Sequence, residues 1–265
     1  MLRNNPSLGI RTNLLFHRFD GEVIERADYL VIRTPTNPGF FFGNLLIFNT
    51  PPTPQDATAW PALFAHEFGD NPEIRHVTLI WDTEAPGDTT GFATAGYTVE
   101  TALVLTAQSV RPPPKTNSAI QIRPITTDAD WQAVIECQIL SPSVEQDPAD
   151  YRMFKTRQIT RYRAMAEQGL GAWFGAFLNN KLIADLGLYH DGTIGRFQQV
   201  ETHPDHRRQG ICGTLVHTIA RHALETLGLT TLVMVADEAY HAAKIYQQVG
   251  FEIRERHHAA FRWDP

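Results

Sequence analysis

The sequence predicts a mixed α/β fold in two halves, and three observations carry that prediction. In the second half, short apolar runs alternate with amphipathic helical stretches. A basic turn with two glycines joins one of those runs to the most regular of the helical stripes. The closing pattern of the second half then recurs in the first, as an internal repeat would.

At 265 residues, 43% hydrophobic and 20% charged, the chain can hold two modest domains, each with its own core. Arg111-Pro-Pro-Pro-Lys-Thr-Asn-Ser118 is stiff, polar and poor in apolar residues, so it reads as a linker (111–118) between domains at 1–110 and 119–265. Two helical patterns open the second half, Asp128–Leu140 and Pro148–Gln168, the latter entered through Asp147 as N-cap and Pro148 as first helical residue. Ala172–Phe177 and Leu182–Tyr189 alternate as strands around Asn179-Asn180, a hairpin turn signal. Trp173, Phe174 and Phe177 on the first of them, and Cys137 on the first helix, are expected in the core.

A third strand ends at Thr202-His203-Pro204. After it comes a helix with Ile211, Leu215 and Ile219 at i, i+4 and i+8. Thr231–Ala236 reads as a buried strand, Ala239–Val249 as a short helix, and Gly250-Phe251 as the entry to a final strand pair. The expected order across Ile120–Trp263 is β, α, α, β, β, β, α, β, α, β, β.

The turn before Ile211 carries the chemistry. Gly210 and Gly213 allow close backbone approach, and the first N–H groups of a helix lack partners inside it. Those donors and the helix dipole favour a phosphate, with Arg207 and Arg208 adding full charges. Without an anion, arginines at that end of a helix oppose its dipole. A P-loop is excluded because no Gly-Lys-Ser/Thr tripeptide occurs. A Rossmann fingerprint needs three glycines directly after a strand, and only two are present.

The segment Arg207-Arg208-Gln209-Gly210-Ile211-Cys212 instead resembles the coenzyme A signature of the GNAT superfamily of N-acetyltransferases, Q/R-x-x-G-x-G/A, with Cys212 replacing the last small residue. Tyr246, Gly250 and Phe251 resemble the family's closing Tyr-x-x-x-Gly-Phe, and Ala239 stands where an asparagine is often found. The resemblance covers a little over half the chain. It implies a GNAT acyl-CoA N-acyltransferase fold in the C-terminal half. It also implies acetyl-CoA as co-substrate, held by Val200, Glu201, Thr202, Arg207, Arg208, Gln209, Gly210, Ile211, Cys212, Gly213, Thr214 and Tyr246.

The expected reaction is direct acetyl transfer to a primary amine of a small molecule or peptide. The amine must lose a proton, for which Glu201 is the first candidate and Glu136, Asp185 and Glu238 weaker ones. The departing thiolate must gain one, for which Tyr246 is the candidate, a phenol of pKa about 10 serving a thiol of about 8.5. The rival expectation is a non-catalytic sensor or scaffold that binds acyl-CoA.

In the first half, Val77–Asp82 leads to Phe92, Gly96 and Tyr97 as Thr231–Asp237 leads to Tyr246, Gly250 and Phe251. Phe40–Phe48 and Asp56–Phe68 would match the strand and helix around the turn, making this half a smaller, degenerate GNAT-like domain, the alternative being an unrelated mixed sheet that repeats one pattern. Its turn, Asn49-Thr-Pro-Pro-Thr-Pro-Gln55, holds three prolines and cannot present a row of N–H donors, and Phe92 cannot give a proton. Coenzyme A is therefore not expected there.

The remaining features set limits. A charge of −6, from 23 basic and 29 acidic residues, argues against nucleic acid. No apolar run is long enough for a membrane span, and the N-terminus lacks a signal-peptide pattern. Two cysteines make no disulfide framework, which favours a cytoplasmic setting. Eleven histidines form no recognised ligand pair, so no metal is expected. A homodimer is left open.

Overall fold

The computed structural model describes residues 6–141 and 147–263. The chain forms two compact units that are discontinuous in sequence. One comprises residues 1–104, 235–240 and 254–265, the other 105–234 and 241–253. The proline-rich stretch 111–118, expected as a linker, therefore counts within the second unit, and the last residues of the chain within the first.

The first unit opens with helix α1 (Leu8–Asp20), a stretch to which the sequence reading assigned no element. The Ser7 side chain accepts from Ile10 N–H at 3.3 Å, while Asp82 and Glu255 accept from the Ser7 and Leu8 N–H groups at 2.8 and 2.7 Å. Strands β1 (Glu22–Glu25), β2 (Tyr29–Arg33) and β3 (Leu45–Phe48) pair antiparallel in turn. Helix α2 (Asp56–Phe68) follows, then β4 (His76–Trp81), short helix α3 (Thr90–Thr94) and β5 (Thr98–Ala107).

β3 and β4 are parallel, in register from Leu46↔Leu79 to Phe48↔Trp81, and the next N–H, of Asp82, continues to the Phe48 carbonyl at 2.9 Å. Above this closed seam Phe48 stacks on Trp60 at 3.8 Å, with Trp81, Phe92 and Tyr97 completing the packing. The partner on the other side of β4 is the end of the chain: His258–Trp263 of β11 (Glu252–Trp263) pairs antiparallel with Trp81–His76.

Two expectations are corrected here. Phe40–Phe48 is not one strand. Phe41–Gly43 forms a 3-10 turn because the buried Asn44 amide donates to the carbonyls of Asn37, Pro38 and Phe40, which folds the chain before β3. The final strand pair is also a single strand, β11, with no turn residue to break its twelve positions.

In the second unit β6 (Gln121–Pro124) leads to α4 (Asp128–Gln138), whose Thr127 and Asp130 form a capping box. α5 (Pro148–Glu167) is capped by Asp147 as expected. β7 (Gly171–Leu178) and β8 (Lys181–Asp191) form the predicted hairpin, with Asn179 and Asn180 in the left-handed region at φ 50° and 64°. β9 (Ile194–Thr202) adds antiparallel to β8, and β6 antiparallel to β7.

Helix α6 (Ile211–Glu225), strand β10 (Thr231–Asp237) and helix α7 (Ala242–Val249) follow. Helices cover both faces of this sheet. Trp173 meets Trp131 of α4 and Tyr162 of α5, while the next residue, Phe174, meets His222 of α6. The strand–helix–strand–helix–strand run from β9 to β11 repeats the run from β3 to β5, so each half carries the same closing arrangement.

Candidate active site

β9 and β10 are parallel, but their registered pairing runs only from Ile194↔Thr231 to Arg196↔Val233. β9 continues to Thr202, so on this side the backbone of Phe197–Thr202 leaves the ladder. Midway along, the β8–β9 register shifts between Asp185 and Gly187, and Gln199 adopts φ 49°. This is a bulge, which bends a strand and re-aims the groups beside it. Val200, Glu201 and Thr202 follow it directly.

After a short 3-10 turn at Pro204–His206 the chain enters the predicted cradle. Arg208 lies at φ 60° and Gly210 at φ 80°, so two residues of the turn are left-handed and Gly210 is the N-cap of α6. Ile211 anchors the first helical turn in the core. Thr214 bonds back to the Gly210 carbonyl through its hydroxyl at 2.8 Å. Cys212 is held in its thiol form, with burial, aided by nearby Glu201, raising its pKa to about 12.

The two arginines differ. Arg207 turns to the strand: it donates to the Thr202 carbonyl at 3.1 Å, to Glu201 Oε1 at 3.1 Å and to the Ser141 hydroxyl. The Arg208 side chain is exposed and makes no hydrogen bond or ion pair among the described residues. Arg207 thus pairs with Glu201, while the Arg208 guanidinium is unpaired among the described residues.

Sequence reasoning missed what lies against the glycines. The Lys115 ammonium donates to the Arg208 carbonyl at 2.7 Å, and Asn117 donates to the Gln209 carbonyl at 3.1 Å and to the Thr214 hydroxyl at 2.9 Å. A Cβ on Gly210 would sit 2.7 Å from the Lys115 carbonyl, and one on Gly213 3.1 Å from Pro113. Arg111 in turn donates to the carbonyls of Gln247 and Gln248 at the end of α7. The proline-rich stretch is therefore a strap over the turn. Its polar residues were the available signal, since a plain spacer needs no lysine and asparagine two residues apart.

Tyr246 is buried on α7, with its ring 6.5 Å from that of Phe251. α7 packs beside the start of α6, where Ile245 reaches toward Gly213.

Glu201 Oε1 accepts from Arg207, from the Ser141 hydroxyl at 3.3 Å and from its neighbour's N–H at 2.9 Å. Opposite Glu201 in the β8–β9 register stands Asp185, which is fully buried. Its Oδ1 accepts from Gln138 at 2.7 Å and from the Trp173 indole at 3.0 Å, and its Oδ2 receives no N–H or O–H.

The Lys155 ammonium, also buried, donates to Gln199 at 2.9 Å, Gln158 at 3.1 Å and Gln138 at 3.4 Å. Burial lowers the lysine pKa to about 8 and raises that of Asp185 to about 7, Glu201 adding to the latter. Lys155 was legible as the one charged residue on the stripe Tyr151, Ile159, Tyr162, at i+4 from Tyr151 and i−4 from Ile159. Of the other carboxylates considered, Glu136 is spent on Arg152 at 2.7 Å and Glu238 faces Arg256. Segment 142–146 between α4 and α5 lies outside the described residues. Among the described residues no group of three or more His, Cys, Asp or Glu is placed to hold a metal, and no helix is long and apolar enough to cross a membrane.

Comparison with known proteins agrees with this geometry. Residues 131–251 match the acetyltransferase (GNAT) family. A conserved protein of unknown function from Staphylococcus epidermidis superposes with TM-score 0.72 at 12% identity, over 93% of this chain and 96% of its own. A GCN5-related N-acetyltransferase from Kribbella flavida gives 0.64 at 12%, over 96% and 93%. A tandem GNAT protein from the clavulanic acid biosynthesis pathway gives 0.50 at 15%, over 77% and 70%. At such identities the likeness is one of fold. No curated protein matches.

Proposed function

From a chain whose residues 131–251 belong to the acetyltransferase (GNAT) family, we propose an acetyl-CoA-dependent N-acetyltransferase that passes the acetyl group directly to a primary amine. The observation that carries this reading is the parallel pair β9–β10, which stops after three residue pairs beside a left-handed, glycine-capped turn at the start of α6. Backbone groups of Val200 and Glu201 lie off the ladder on that side and suit an amide-bearing pantetheine arm, while those of Thr202 are held by Arg207 and Glu201. The turn 208–213, the helix start and Arg208 suit a diphosphate. Arg207 acts one step back, by fixing Glu201 and the strand end.

An alkylamine has a pKa of about 10.4, so it arrives charged. Glu201, with Oε1 fixed by three donors, takes that proton. Tyr246 then supplies one to the departing sulfur. Holding the two reactants together contributes most, since effective molarities of about 10⁵ M are within reach of oriented pairs.

Calorimetric titration with acetyl-CoA and with coenzyme A tests the reading. One-to-one binding in the micromolar range, with turnover on a panel of amines, is the expected result. Binding without transfer to any amine would favour the sensor reading, and no binding to either ligand would end both. Tyr246→Phe should lower turnover about a hundredfold at unchanged acetyl-CoA affinity, the range for loss of a general acid. Unchanged turnover would remove Tyr246 from the role.

A further inference from the structure

We propose that Asp185 shares the acceptor's proton with Glu201, the two carboxylates forming a coupled pair across β8 and β9. The inference rests on the N-acetyltransferase reading and adds to it where the proton goes. Three observations support it. Asp185 and Glu201 are direct cross-strand partners, which places their Cβ atoms about 5 Å apart on one face of the sheet. Asp185 is fully buried, its Oδ1 held by two donors and its Oδ2 by no N–H or O–H, with the weak Cys137 thiol as a further donor beside the carboxylate. A buried carboxylate oxygen without a donor is costly, and a proton on it removes the cost. Glu201, by contrast, is partly exposed and carries the Arg207 guanidinium at 3.1 Å.

The surroundings of the two groups differ: burial raises the Asp185 pKa, while Glu201 is partly exposed beside a guanidinium, and such unlike settings suit different proton roles. The titratable groups facing Asp185 are the Cys137 thiol from α4, the Lys155 ammonium from α5 and Glu201 from β9, with Arg207 on the far side of Glu201. Gln138 is locked between them: its oxygen faces Lys155, and its amide donates to Asp185 and to the Gln199 carbonyl at the bulge, at 2.8 Å. Lys155 and Gln138 are thus positioning residues, holding both Asp185 and the bulge that presents Glu201.

In the proposed step an N–H bond of the ammonium breaks and an O–H bond forms on Glu201. That O–H then breaks as one forms on Asp185 Oδ2, the step starting from the ionised Asp185 that a pKa of about 7 keeps populated, and Glu201 regains its charge beside Arg207. No oxidant or further reactant is needed, and the amine is left neutral.

The test is an infrared titration of buried carboxyl groups, which needs no acceptor amine. The wild-type protein should show a protonated carboxyl that titrates near neutral pH and is lost in Asp185→Asn. In Glu201→Gln its midpoint should fall by about one unit or more, the size expected for removing an adjacent like charge. A midpoint that does not move, or no carboxyl assignable to Asp185, would overturn the pair. Should Asp185→Asn fail to fold, carbon NMR of aspartate-labelled wild type and Glu201→Gln gives the same comparison. Acetyl-CoA calorimetry on the same samples reports separately, so failure of the enzyme reading and failure of the proton pair are distinguishable.

Discussion

Two parallel strand pairs, one in each half, begin alike and end differently. β3 and β4 pair to the last residue of β3, and aromatic rings fill the layer above them. β9 and β10 pair for three residues and then part. In the first half the turn after the strand is proline-rich, and Asp56 at the head of α2 accepts from the Thr53 N–H and hydroxyl at 2.7 Å each. A carboxylate stands there at the helix start, where the second half offers arginine and N–H groups. The same arrangement of elements therefore serves as a closed core in one half and as an open strand end in the other. Trp60 stacked on Phe48 marks the closed form.

The sharpest way to break this comparison is Trp60→Ala. Removing a buried aromatic should cost about 3–5 kcal/mol of stability, read by chemical denaturation, while acetyl-CoA affinity at low denaturant stays the same. If affinity fell with stability, the aromatic seam would be serving the cofactor after all. Next in size is Arg208→Ala, which should weaken acetyl-CoA binding roughly tenfold to a hundredfold, the range for a charge-assisted hydrogen bond. Arg207→Ala should leave affinity less changed and turnover more so, and the reverse ranking would exchange their assignments.

A smaller effect comes from the Arg123–Asp130 pair, joined by two bonds of 2.8 Å at the head of α4. The guanidinium and the Thr127 cap hold the Asp130 carboxyl well below its usual range. That stabilisation is present above the unfolded-state pKa of about 3.9 and is lost as pH falls through the depressed folded value. Asp130→Asn should cost about 1 kcal/mol at neutral pH, because the pair is partly exposed to solvent, and the gap should close in strong acid. A gap that persists there would mean packing, not charge, holds the pair. The smallest effect is expected for Cys212→Ala: with the thiol kept neutral, acetyl-CoA affinity should stay within about twofold. A larger loss would show that the departure from glycine or alanine matters.

Local signals made the second half legible. The Asn179-Asn180 turn, the Asp147-Pro148 helix start and the Ile211 stripe each specify their element over a few residues, and all three form as expected. The first half was less legible because its decisive interactions are distant. Asn44 shapes a turn that apolar Phe40–Phe42 reads as strand, and α1 takes its N-terminal carboxylates from Asp82 and Glu255. The polar cluster behind the site has the same character. Asp185 interrupts an apolar strand and so could be noticed, but its link to Lys155 through Gln138 joins three elements and appears in no single window of sequence.

The pairing of β11 with β4 also orders events during synthesis. β4 is made well before its antiparallel partner, His258–Trp263, and Glu255 reaches Leu8 across 247 positions. The first unit must wait with an apolar strand edge uncovered until β11 has been made. Contacts of such separation slow folding and prolong exposure to aggregation.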